Sequence, residues 1–140
     1  PYRRTKGLNQ MQKLEAVAIE NEFSKLKLFK GRTPYTKGED AKEAFALLSE
    51  YRDGGVYIAH YSGNSEWERH LNGDEFIQMV EGETTLFVLS NGVETPNKLS
   101  QGEIFVIPKG LWHRFESPLP VKILTITPHP TEHSIKTPCG

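Results

Sequence analysis

Cysteine is nearly missing from this chain: its one thiol, Cys139, stands next to the last of 140 residues. No internal disulfide can form, so stability has to come from a buried core, and a reducing compartment is the expected setting. A thiol in a tail also lacks the enclosed, electropositive surroundings that lower its pKa, so Cys139 is expected to be inert. Long apolar runs are missing as well. The stretch from Ile104 to Ile107 is typical of the longest, far short of the roughly 20 residues that span a bilayer. No basic-then-apolar leader opens the sequence. Nor does one sign of charge dominate: 17 Lys and Arg against 18 Asp and Glu leave a formal net charge of −1, without the broad positive field that sequence-independent nucleic-acid binding requires. The composition predicts a soluble, unexported, cytoplasmic protein with neither a membrane nor a nucleic acid as partner.

What is present fits one domain. The length allows a real core but not two, and 36% hydrophobic with 25% charged residues suits a globular chain. Residues 1–37 form an N-terminal extension, basic at Arg3, Arg4 and Lys6, in which Leu14, Ala16 and Ala18 alternate like a strand while Leu14, Val17 and Ala18 also fit a helical face. Residues 38–54 read as one amphipathic helix. Asp40-Ala-Lys-Glu43 has the form of a capping box, and Ala41, Ala44, Phe45, Leu48 and Tyr51 recur at helical spacing until Asp53-Gly54-Gly55. From residue 55 to 127 the texture is all-β: short segments of Val, Ile, Phe, Tyr and Thr between Gly, Asn, Asp, Ser and Pro clusters. Strands are expected near 56–61, 66–70, 75–81, 83–89, 93–99, 103–107, 112–116 and 121–127, a number that suits a jelly roll or small barrel. The tail, 128–140, is expected to lie extended over the surface or to be mobile, with His129 and His133 solvated.

Two ordered motifs stand out. Gly102, five residues, Pro108, Lys109, Gly110, two residues and His113 join a turn, a short apolar strand, a second turn and a histidine at fixed spacing. Upstream, the stretch from Gly63 to Gly82 carries Glu68, His70 and Glu75. Strand residues two apart share a face, so Glu68 and His70 point together while Trp67 and Arg69 point away, as Trp112 does from His113. The pair of motifs resembles the two signatures of the cupin family of small β-barrels, over roughly residues 55–127. Matches fall at Gly63, His70, Glu75 and Gly82 in the first and from Gly102 to His113 in the second. Glu68 stands where the first signature has its leading histidine, and Ser117 replaces a common asparagine.

The resemblance implies an all-β double-stranded β-helix, the jelly-roll or cupin barrel, preceded by an N-terminal extension containing one α-helix. It also implies that Glu68, His70, Glu75 and His113 converge inside the barrel as ligands of a divalent transition metal, Fe, Mn, Ni or Zn. His60, Ile77, Met79, Phe105 and Phe115 are candidates for the pocket around that centre. The expected function is action on a small organic molecule, of dioxygenase, isomerase or lyase type. The alternative is a non-catalytic, metal-free cupin that binds or senses a small molecule through a polar pocket floor. A homodimer is expected, with Leu26, Leu28 and Phe29 of the extension covering or extending a neighbour's sheet edge.

Overall fold

A computed structural model describes residues 14–139 of the chain; the basic cluster Arg3, Arg4 and Lys6 lies outside the described residues. Among the described residues one α-helix, α1 (Ile19–Ser24), is followed by ten strands: β1 (Phe29–Arg32), β2 (Phe45–Tyr51), β3 (Gly54–Asn64), β4 (Trp67–His70), β5 (Glu75–Glu81), β6 (Thr84–Ser90), β7 (Val93–Leu99), β8 (Ile104–Ile107), β9 (Trp112–Pro128) and β10 (Thr131–Ser134). All the strands belong to one sheet, which closes around an apolar interior.

The sheet is organised by β9. Its first half pairs antiparallel with β6, from Thr85 opposite Glu116 to Leu89 opposite Trp112, and meets β4 where Glu68 stands opposite His113. Its second half pairs with β5 on one side and β3 on the other. The expected break between 116 and 121 is therefore a bend within one strand. Pro118, Leu119 and Pro120 are exposed there, between the paired positions Ser117 and Val121. Two prolines cannot donate to a ladder, so the chain bulges out of it and rejoins.

Two layers of core follow from strand alternation. Tyr61, Ile77, Met79, Leu86, Ile107, Phe115, Val121 and Ile123 fill the barrel, whereas Ile58 and Leu124 face outward and are covered by Phe23 of α1, with Leu26, Leu48 and Phe76 around them. Burial of Phe23, 3% exposed, is worth about 2–3 kcal/mol and holds the extension down.

The helix expected over 38–54 is not there. A 3-10 turn at Lys42–Ala44 leads directly into β2, which pairs antiparallel with β3 through a turn at Arg52 and Asp53. The reason is burial on both faces: Phe45 packs into the barrel while Ala46 and Leu48 pack into the outer layer. A strand buried on both sides reads as a continuous apolar run, which a helical template matches equally well. Among the described residues the one α-helix lies earlier, at α1. The extension also serves its own chain: β1 adds parallel to β3, with Phe29 opposite Tyr61 and Arg32 opposite Gly63, and Phe29 and Leu26 pack intramolecularly. The tail is ordered as well, because β10 pairs antiparallel with β4 from Thr131 opposite His70 to Ser134 opposite Trp67. Among the described residues no helix is long and apolar enough to cross a membrane.

Candidate metal centre

Three strands, β4, β5 and β9, bring the four expected ligands together. On β4, Trp67 packs outward beneath the Arg114 guanidinium, so Glu68 and His70 turn inward. The hairpin to β5 is tied to the second motif by two bonds: the Lys109 amide donates to Asp74 Oδ1 at 2.8 Å and the Gly110 amide donates to the His70 carbonyl at 2.9 Å. Gly110 takes φ 81°, which brings that amide round, and His113 enters β9 opposite Glu68. Glu75 opens β5.

The donor atoms converge. Glu75 Oε1 lies 3.0 Å from His113 Nε2 and 3.2 Å from His70 Nε2, and the imidazole rings are 5.3 Å apart. Glu68, His70 and His113 each offer a ligand atom within 4.8 Å of the others. Each inner ligand is held from behind. The His113 Nδ1–H donates to the Leu111 carbonyl at 3.0 Å, which leaves Nε2 as a lone pair aimed at the centre. His70 Nδ1 meets Thr131 Oγ1 at 3.0 Å, and Thr127 Oγ1 donates to Glu75 Oε2 at 2.6 Å.

The inner atoms, however, have no hydrogen-bond partner. His70 Nε2, His113 Nε2 and Glu75 Oε1 are all buried without one, although they lie close together. Three unsatisfied polar atoms at one point are costly to bury. A divalent cation would satisfy all three, and separations of 3.0 and 3.2 Å match the edge of an octahedron with metal–ligand bonds of about 2.1 Å. The donor set thus fits such an ion. Burial alone would push the Glu75 carboxyl up, but His113 and His70 outweigh it and hold the group well below the ordinary carboxylate range. Burial lowers His113; Glu75 more than reverses this, with Glu68 and the Leu111 carbonyl adding to it, so the imidazole is raised.

A cavity of about 450 Å³ opens from this centre. Its lining includes Glu68, His70, Glu75, Tyr61, Phe115, Ile123 and Thr127 from the barrel, Arg32 and Lys37 from the extension, and His129, Thr131 and His133 from the tail. Of the expected pocket residues only Phe115 lines it. Ile77 and Met79, both 0% exposed, are packed core below the cavity, and Phe105 packs against that core. His60 sits on the outer face of β3 opposite Lys122; partial burial, then Lys122, lowers its pKa. It is not among the lining residues, whereas Ala59 and Tyr61 on either side of it are. The two tail histidines do line it: His129 Nε2 contacts the Tyr57 hydroxyl, and His133 Nδ1 lies 3.2 Å from Glu66. Cys139 is exposed.

A family model described as "Cupin domain" matches residues 56–127, just over half of the sequence. The chain belongs to the cupin family. Solved structures resemble it in fold. A cupin-2 domain protein from Shewanella frigidimarina is 21% identical with a TM-score of 0.61, the match covering 81% of this chain and 94% of that one. A protein from Neisseria meningitidis is 16% identical with a TM-score of 0.60, covering 82% and 100%. A hydroquinone 1,2-dioxygenase, solved with Cd²⁺ and 4-hydroxybenzonitrile, is 23% identical with a TM-score of 0.52, covering 69% and 66%. No curated protein matches this cupin.

Proposed function

We propose that this cupin binds a divalent transition metal through Glu68, His70, Glu75 and His113 and acts on a small organic molecule in the adjoining cavity, with dioxygenase, isomerase or lyase chemistry. The observation that carries the reading is the set of three buried, unpartnered atoms, His70 Nε2, His113 Nε2 and Glu75 Oε1, aimed at one point. A bound ion would supply Lewis-acid polarisation of a substrate oxygen and, if it is redox-active, a route for electrons. The chain's own groups do the positioning. Leu111 fixes the His113 tautomer, Thr131 orients His70, and Thr127 holds the outer oxygen of Glu75 so that the inner one faces the centre. Tyr61, Phe115 and Ile123 provide an apolar wall that excludes water around a bound molecule. A hydroquinone 1,2-dioxygenase solved with Cd²⁺ is among the proteins that share this fold, which supports the oxygenase form of the reading.

A metal-free binding module is the second reading, favoured by the 3.0 Å separation of Glu75 and His113, which a protonated imidazole could share with the carboxylate as a buried charge pair. Elemental analysis separates the two. Untagged protein reconstituted with Fe, Mn, Ni or Zn is expected to hold close to one ion per chain, and His113→Ala to hold none while keeping its fold. Stoichiometry near zero for all four metals would remove the metal-dependent reading and leave the binding module.

A further inference from the structure

Of the two cations that line the cavity, Arg32 and Lys37, only Arg32 is partly shielded from solvent. Arg32 is the last residue of β1, half-buried, and its guanidinium lies 4.8 Å from the centre of the Tyr61 ring and 5.3 Å from that of Phe45. Those rings are themselves stacked, 5.9 Å apart and 20° from parallel. Two aromatic faces hold the guanidinium in place without neutralising it. No carboxylate of the described residues forms an ion pair with it, whereas Arg69 and Arg114 are both paired. Its backbone is equally fixed. Gly63 takes φ 113°, and a Cβ there would stand 2.2 Å from the Arg32 carbonyl oxygen, so the two strands are in close contact at this residue.

Charge around the cavity narrows what Arg32 can meet. Two cations, Arg32 and Lys37, and three carboxylates, Glu66, Glu68 and Glu75, line it. With a divalent ion in place the lining would carry one positive charge in excess. A dianion would over-neutralise it and crowd the carboxylates, and a neutral molecule would leave the guanidinium unpaired in a partly dry site. Phe45, Tyr57, Tyr61, Phe115 and Ile123 supply an aromatic and aliphatic part of the lining, beside hydroxyl and imidazole groups. We infer that the cavity takes a small monocarboxylic acid with a flat apolar body, and that Arg32 is its specificity determinant, binding the carboxylate while the body lies toward the metal centre. This rests on the proposed reading of the centre for its charge balance. Arg32 precedes the segment that matches the family, so the preference belongs to the extension of this chain.

The test is calorimetric titration of the full chain, Zn²⁺-loaded and chelator-treated, with benzoate, cyclohexanecarboxylate and trans-cinnamate, each against its amide, and with phenyl phosphate. Zinc content is measured on the same samples. Each acid that binds is expected to bind at least about tenfold more tightly than its amide, the scale of one charge-assisted contact. Arg32→Gln is expected to erase that preference while zinc content stays unchanged, and Arg32→Lys to keep part of it. The inference is overturned if no acid binds at millimolar concentration, if acid and amide bind alike to the wild type, if the preference survives in Arg32→Gln, or if phenyl phosphate outcompetes the acids. Zinc content near zero beside an Arg32-dependent acid preference would overturn the metal reading and uphold this one. Full zinc content beside no acid preference would do the reverse.

Discussion

Replacing Gly63 with alanine should detach β1, and the size of the effect can be worked from the geometry. The new Cβ would lie 2.2 Å from the Arg32 oxygen and 2.3 Å from its nitrogen, both backbone atoms, so β1 must move by roughly 1 Å to reach ordinary contact. The φ of 113° adds strain of about 1–3 kcal/mol for a residue with a side chain. Losing the close fit of β1, with Phe29 packed against the barrel, adds about 1 kcal/mol more. The sum is about 3 kcal/mol, or a fall in Tm of roughly 10 °C for a domain of this size. Gly31→Ala is the control: it also has positive φ, 75°, but meets nothing within 4 Å, so only the backbone term of about 1 kcal/mol applies. Thermal unfolding read beside hydrogen exchange over residues 27–34 gives the answer, since the Gly31 amide donates to Ser62 Oγ at 3.1 Å and is protected only while β1 is docked. Equal Tm losses for the two variants, or unchanged exchange in Gly63→Ala, would refute the steric argument.

Thr131→Val removes the partner of His70 Nδ1 while keeping the shape, and should weaken metal binding by about 10–100-fold in a competitive chelator titration. Glu68→His swaps a carboxylate for a softer nitrogen and should shift preference toward Ni, Cu or Zn; unchanged selectivity would place Glu68 outside the ligand set. In chelator-treated protein the raised His113 contributes stability that is full below its unfolded pKa of about 6.5 and is lost as pH rises through its folded value, so Tm should fall on the alkaline side. Glu75→Gln should flatten that fall, because Glu75 causes the rise; parallel profiles would contradict the assignment. Light scattering should give a dimer mass, since the edge strand β8 leaves Ile104 and Val106 55% and 49% exposed; a monomer well above micromolar concentration would count against it.

The strands between 54 and 128 were legible because period-two burial and turn residues coincide there. The convergence of His70, Glu75 and His113 was implied by the resemblance of two spaced motifs to the cupin signatures, and in the structure the turns of those motifs lock together through Asp74 and Gly110. What was misread has a common cause: long-range pairing that local pattern does not encode. β2 is apolar on both faces, so its helical and extended readings tie until β3 is known to lie beside it. Arg32 gains its surroundings only when β1 meets Gly63, some thirty residues on. The tail carried a readable signal, since Glu132 pairs with Arg69 at 2.7 Å and His133 stands opposite Glu68, so its charges complement those of β4 in reverse order. Thr127 had no such signal, being one of two threonines, with Thr125, that alternate along β9.

Because β9 supplies a partner to β3, β4, β5 and β6 at once, the barrel cannot close until its last third exists. A chain emerging from the ribosome in sequence order would present β3 through β8 as a set of hairpins and open edges until residues 112–128 clear the exit tunnel. Folding is then a single late event in which one strand zips four others together, and the ligand residues, spread from 68 to 113, come within reach of one another only at that moment. Any nonsense truncation before about residue 128 should give aggregation-prone product with no partly competent intermediate length, because the missing piece is the one that every other layer leans on.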